Sequence, residues 1–128
     1  MPITPSTLIY AKRIRGKGLG VFAKVRIPAD TEIERVPVLV LPQAQLAHLQ
    51  NGGILGDYAF TWSATEAAIA LGYGSLYNHA YEPNAIYVDR APRLKIFLAL
   101  RDIQAHEEIT INYNGEPDSR APLDFTVT

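Results

Sequence analysis

The chain has 128 residues, 48% of them hydrophobic and 20% charged, which points to one globular domain with too little length for two independent cores. Twelve basic residues against 13 acidic ones leave a net charge of −1; a duplex-DNA binder, which draws its affinity from phosphate neutralisation, would carry a basic surplus, so direct nucleic-acid binding is not expected. No apolar run reaches the roughly 18 residues that a membrane span needs, and the lack of cysteine excludes both a disulfide framework and a thiolate zinc site.

Read in chain order, the first residues, Met1-Pro2-Ile3-Thr4-Pro5, lack the basic flank and apolar block of a signal peptide. A cytoplasmic location is expected, or a host nucleus if the chain is viral. Residues 8–11 read as a short strand before a glycine-rich turn, and residues 20–25 as its partner. Residues 32–41 follow as a longer strand, β-branched at Ile33, Val36, Val38 and Val40, with Pro37 suggesting an edge or a bulge. A helix is expected over 42–50, with Pro42 at its start, Leu46 and Leu49 three apart, and Asn51-Gly52-Gly53 to end it. Residues 58–62 form a short aromatic strand, while 66–71 fit helix or strand, since alanine and isoleucine pull opposite ways. Strands over 84–89 and 94–100, a turn at 104–106 and a last strand over 108–113 lead to an irregular tail, 116–128. The sum is a mostly-β single domain, 1–128, without internal repeat or linker.

Three segments carry chemistry that packing does not require. Gly16-Lys17-Gly18-Leu19-Gly20-Val21-Phe22-Ala23 holds three glycines in five residues, which permits positive φ and close backbone approach to a ligand. It lacks the ending of a phosphate-binding P-loop, and a plain hairpin turn is the alternative. The basic residues Lys12, Arg13, Arg15 and Lys17 suit a solvated strand edge. Asn78-His79, followed by Pro83-Asn84, reads as loop chemistry. A lone histidine is commonly structural, and His48, His79 and His106 have no ligand spacing, so no metal site is expected. Glu107-Glu108-Ile109-Thr110-Ile111-Asn112-Tyr113 is an acidic start to a strand that delivers a tyrosine, which could equally be a core residue with a wet hydroxyl.

Together, in this order and spacing, these segments resemble the SET-domain protein-lysine methyltransferases, most of all the minimal stand-alone members of bacteria and large DNA viruses. The resemblance covers residues 8–115. It implies a β-clip fold of several short curved sheets, a knot-like threading of the C-terminal segment and one or two short helices. It also implies S-adenosyl-L-methionine as cofactor and, as partner, a protein or peptide presenting an exposed lysine. On this resemblance Gly18, Leu19 and Gly20, with Lys17 beside them, give backbone contacts to the cofactor. Asn78 and His79 contact its aminocarboxypropyl and adenine parts, and Tyr113 stands beside the transferring methyl. Ala80 replaces the family's usual serine or cysteine, and Asn112 its frequent aspartate.

The chemistry itself is narrow in its demands. A lysine amine, with an ordinary pKa of about 10.4, must be held neutral, which an apolar channel favours. The amine must then lie in line with the methyl group. Aromatic walls suit the lysine stem, and Tyr58, Phe60, Trp62, Tyr73 and Tyr77 are the candidates. Tyr58 and Tyr73 are the expected channel residues, with Ile111 at the position linked to methylation multiplicity. No aromatic follows Tyr113 until Phe125, so either Phe125 folds back as a lid or the site stays open and activity is weak. The rival reading is a SET-like peptide-binding module without turnover; a structural β domain is the remaining alternative, and a homodimer is a further expectation.

Overall fold

The computed structural model describes residues 2–48 and 53–121. Nine strands and two short helices occur among them: β1 (Ile9–Ile14), β2 (Gly18–Ala23), β3 (Glu32–Pro42), α1 (Gln43–Ala47), α2 (Gly53–Gly56), β4 (Ala59–Thr61), β5 (Glu66–Ala70), β6 (Asn78–His79), β7 (Ala85–Arg90), β8 (Leu94–Ala99) and β9 (Glu108–Ile111). They form a four-stranded sheet, β1-β2-β9-β6, and a five-stranded sheet, β4-β5-β3-β8-β7. Inward-facing Val21, Ile33, Phe97, Ile109 and Ile111, each 2% exposed or less, form the core between them. Each such side chain contributes about 1.5–3 kcal/mol by leaving water.

Several elements depart from the pattern in the sequence. Pro37 lies in a central strand rather than at an edge. It marks the corner where β3 leaves β8, whose last pair is Pro37↔Leu94, and takes up β5, whose first pair is Val38↔Ala70. A proline without an N–H is tolerated there because the ladder changes partner at that residue. Residues 66–70 are a strand: β5 is paired on both sides, and Ala67, Ala68 and Ala70 are buried. Pairing overrides the helical bias of alanine here. Of the helix expected over 42–50, the described part is α1; residues 49–52 lie outside the described residues. Asn78-His79, expected as a loop, is a two-residue strand parallel to β9, with Asn78↔Thr110 and His79↔Ile111 in register. The last strand stops at Ile111, so Tyr113 sits in the turn beyond it.

A duplication also emerges that the sequence conceals. The hairpin β1–β2 recurs as β7–β8 at one constant offset, Ile9 answering to Ala85 and Ala23 to Ala99. The turns that follow match as well: among the described residues, Asp30 and His106 are the two non-glycine residues with positive φ, 67° and 68°. The Asp30 N–H donates to Ala99 as the His106 N–H donates to Ala23, at 2.8 and 2.7 Å. Ile27 and Ile103 exchange backbone hydrogen bonds, both 2.8 Å, where the copies meet. Each hairpin then takes its third strand from the other half: β2 pairs with β9, and β8 with β3. The two copies agree in too few residues for a repeat to be read from the letters.

The third-strand exchange places β9 between β2 and β6. Asn84 locks it there. Its Nδ2 donates to the Glu108 carbonyl at 2.8 Å, and its Oδ1 accepts the Thr110 N–H at 2.8 Å. Beyond β9, Asn112 Nδ2 donates to the Ser119 carbonyl (2.8 Å), and both Asn114 Nδ2 and the Tyr81 hydroxyl donate to the Ala121 carbonyl. The Tyr81 contact ties Ala121 to the segment after β6.

Candidate active site

The glycine turn, β6 and β9 converge at one point. Gly18 has φ +88°, a region that L side chains rarely adopt, and starts β2 with its backbone exposed. Asn78 donates from Nδ2 to the Leu19 carbonyl at 3.2 Å and to Glu108 Oε2 at 2.7 Å. Lys17 Nζ stands 3.8 Å from Glu108 Oε1. At Gly20, an added Cβ would meet Ile14 Cδ1 at 2.5 Å, Glu108 Oε2 at 2.8 Å and Asn78 Nδ2 at 3.0 Å. The glycine therefore keeps room for the polar cluster, and Lys17, Gly18, Leu19, Gly20, Asn78 and Glu108 form one patch. Glu108 belongs to the acidic start of the last segment but was not singled out as a site residue. Its role comes from facing Asn78 across strands, which spacing along the chain does not reveal.

His79 is buried, and its Nδ1 accepts the Tyr113 N–H at 2.9 Å. The neutral ring must therefore carry its proton on Nε2, which finds no hydrogen-bond acceptor among the described residues. Tyr81 packs edge-on to this ring, centroids 4.5 Å apart. Burial lowers the His79 pKa from its ordinary value, favouring the neutral form that this hydrogen bond requires.

Tyr113 reaches the other side of the site. Its hydroxyl donates to the Tyr77 carbonyl at 2.6 Å. Burial first, then Tyr58 and Glu108, pushes its pKa up to about 12, so it remains a phenol at working pH. It lines a cavity of about 200 Å³ with Tyr58, Phe60, Tyr77, Tyr87 and Asn114. Tyr58 is exposed at this cavity, and the exposed Asp57 stands beside it. Tyr87 is likewise raised to about 12, chiefly by burial and then by Asp89 and Glu116.

The structure separates the other two channel candidates from this cavity. Tyr73 lines a different hollow, with Ile3, Pro5 and Gly72, and donates its backbone N–H to Glu34. The turn at Gly72, φ +58°, carries it there. Ile111 is fully buried in the core, and its carbonyl accepts the Ala80 N–H at 2.9 Å. Phe125 lies outside the described residues. Tyr87, which is not among the expected channel residues, forms a wall because β7 pairs with β8 in the register Tyr87↔Phe97. Among the described residues no three His, Asp or Glu side chains gather as a metal site.

The SET domain matches residues 18–114. A Schizosaccharomyces pombe protein, histone-lysine N-methyltransferase, H3 lysine-37 specific, is 37% identical over 98 residues, 76% of this chain and 67% of that protein. A crystal structure of a candidate histone methyltransferase from Plasmodium falciparum superposes with a TM-score of 0.70 at 29% identity, covering 87% of this chain and 95% of that one. The chain belongs to the SET-domain family of protein-lysine methyltransferases.

Proposed function

We propose that this chain methylates a lysine in a basic, histone-like protein segment. The proposed cofactor, S-adenosyl-L-methionine, lies along Lys17 to Gly20 and Asn78, and the lysine enters the cavity at Tyr113. The observation that carries the reading is that Tyr113 joins the two halves: it lines the aromatic cavity, and its backbone N–H is held by His79, the neighbour of Asn78 in the polar patch. That patch fits the cofactor's amino-acid end, offering Glu108 to an ammonium and Lys17 to a carboxylate. Gly20 leaves the space that a side chain would fill. When bound, the cofactor supplies the sulfonium methyl.

The chain's own residues supply alignment and desolvation. The aromatic walls favour a neutral amine over an ammonium by excluding water. With its proton committed to Tyr77, Tyr113 meets an amine only as a hydrogen-bond acceptor, orienting it without removing its proton. The exposed Asp57 and Glu116 near the cavity favour a basic peptide, in keeping with the histone named for the yeast relative.

Calorimetric titration of S-adenosyl-L-methionine into the wild type and Asn78→Ala tests the cofactor site. Saturable binding, weakened tenfold or more by the substitution (about 1.4 kcal/mol), is expected. A histone-tail peptide screen, with Tyr113→Phe as the control that loses transfer while still binding cofactor, tests the reaction. No binding to folded wild-type protein would leave a SET-like interaction module.

A further inference from the structure

Behind the cavity wall sits a cation that the steps above do not use. Register sets Val36, Lys95 and Asp89 side by side across β3, β8 and β7, with Glu34, Phe97 and Tyr87 as the next row on the same face. The Lys95 side chain is 0% exposed, and its Nζ donates to Asp89 Oδ1 at 2.6 Å. The same Nζ lies 4.1 Å from the centroid of Phe60 and 4.3 Å from that of Tyr87. These rings, 5.0 Å apart and edge to face, are both cavity walls.

A purely structural account explains this arrangement poorly. A buried ion pair is seldom more stable than apolar side chains of the same volume, so a methionine at 95 would fill the space at no greater cost. The two charges are also unequally placed. Asp89 is 35% exposed and screened by water, whereas the ammonium is dry. The ammonium is therefore the less screened charge of the pair at the two rings, and a second cation entering between them meets a like charge in a weakly screening medium.

We propose, resting on the lysine-methylating reading of this cavity, that Lys95 is a positioning residue: its ammonium behind Phe60 and Tyr87 makes the cavity reject a protonated substrate amine, so that the target lysine is held as the free amine. The titratable groups beside it are Asp89 and Tyr87 on β7 and Glu34 on β3, Phe60 on β4 being neutral; on the cavity side of the rings stand Asp57, Tyr58 and Tyr113, with Glu116 near Tyr87. Burial lowers the pKa of Lys95, with Asp89 opposing the shift. The effect accordingly belongs to the pH range in which Lys95 keeps its proton.

The test is single-turnover methyl transfer at saturating cofactor and histone-tail peptide, followed from about pH 6 to about pH 10, where the bound amine's own titration sets the rate. Lys95→Arg should keep the wild-type midpoint. The paired change Lys95→Met with Asp89→Asn, or Lys95→Gln if that pair fails to fold, should move the midpoint up by about half a unit or more. The same neutral variants should lose at least threefold of the wild-type preference for a norleucine peptide over the lysine peptide near neutral pH. An unmoved midpoint and an unmoved preference, even with a slower rate, would show that Lys95 only packs. Absence of transfer by the wild type to any lysine peptide would overturn the function and this proposal together; transfer with an unmoved midpoint overturns this proposal alone.

Discussion

The hydroxyl of Tyr113 donates to the backbone carbonyl of Tyr77, while the hydroxyl of Tyr77 donates to the buried carboxylate of Glu34 at 2.8 Å. Tyr77 is 1% exposed and stacks on Phe97, centroids 4.4 Å apart. Tyr113, proposed to orient the amine, is thus held by a residue whose own hydroxyl is anchored on β3. Glu34 touches neither the cavity nor the polar patch, yet it sets where the Tyr113 phenol lies.

Glu34 gives a pH-dependent stability with a defined sign. Burial raises its pKa above the ordinary 4.5, with the Tyr73 N–H and the Tyr77 hydroxyl pulling it back. A carboxyl raised on folding contributes stability that is full below the unfolded pKa and lost as pH rises through the folded one. Glu34→Gln removes that titration. The stability of the variant minus that of the wild type should therefore rise as pH climbs from below about 4.5. Urea melts at several pH values check it, and a difference that stays flat or falls would refute the assignment.

His79 carries the opposite sign. Burial depresses its pKa, so its contribution is present above the unfolded value of about 6.5 and is lost as pH falls through the folded one. Protonation also puts a hydrogen on Nδ1, where the Tyr113 N–H now donates. His79→Gln should cost about 1–2 kcal/mol at pH 7.5. That cost should shrink as the pH is lowered below about 6.5. A cost independent of pH would mean that the ring acts only by filling space.

Asn84 should be among the costliest polar residues to remove. It is 2% exposed and satisfies the Glu108 carbonyl and the Thr110 N–H, besides meeting Glu107 at 3.2 Å. Asn84→Ala strands two backbone groups and should cost about 2–4 kcal/mol. Because the same bonds seat β9, cofactor affinity should fall with stability. Chemical denaturation and calorimetry on the same samples would show whether the two losses travel together.

Two neighbouring glycines should separate strain from occupancy. Gly20→Ala pushes a methyl into Asn78 and Glu108 and should weaken cofactor binding tenfold or more, about 1.4 kcal/mol. Gly18→Ala puts its methyl in open space but at φ +88°, so it should cost about 1 kcal/mol of stability. Equal effects of both on affinity would mean that the turn's shape, rather than the space at Gly20, controls binding.

The parts of the site legible in the sequence are those whose chemistry packing cannot explain: the glycine turn, Asn78-His79 and the acidic strand before Tyr113. The aromatic wall was not legible in full, because a wall tyrosine and a core tyrosine are the same residue. Tyr58 lines the cavity and Tyr73 does not, and Gly72 with its positive φ makes the difference. Tyr87 and Lys95 join the wall only through a cross-strand register that no single strand displays. The duplication stayed hidden for a related reason, since hydrogen bonding preserves the two hairpins while their side chains have diverged.

The place of β9 between β2 and β6 has a consequence for how the protein is made. The glycine turn and the Asn-His pair are synthesised long before the strand that joins them. Until the ribosome has passed Tyr113, each lacks the neighbour that gives it shape. A nascent chain or a product cut short of Glu108 would carry most of the recognition motifs and still have no pocket. Competence therefore waits for β9, and copies that lack it are silent rather than indiscriminate methylators.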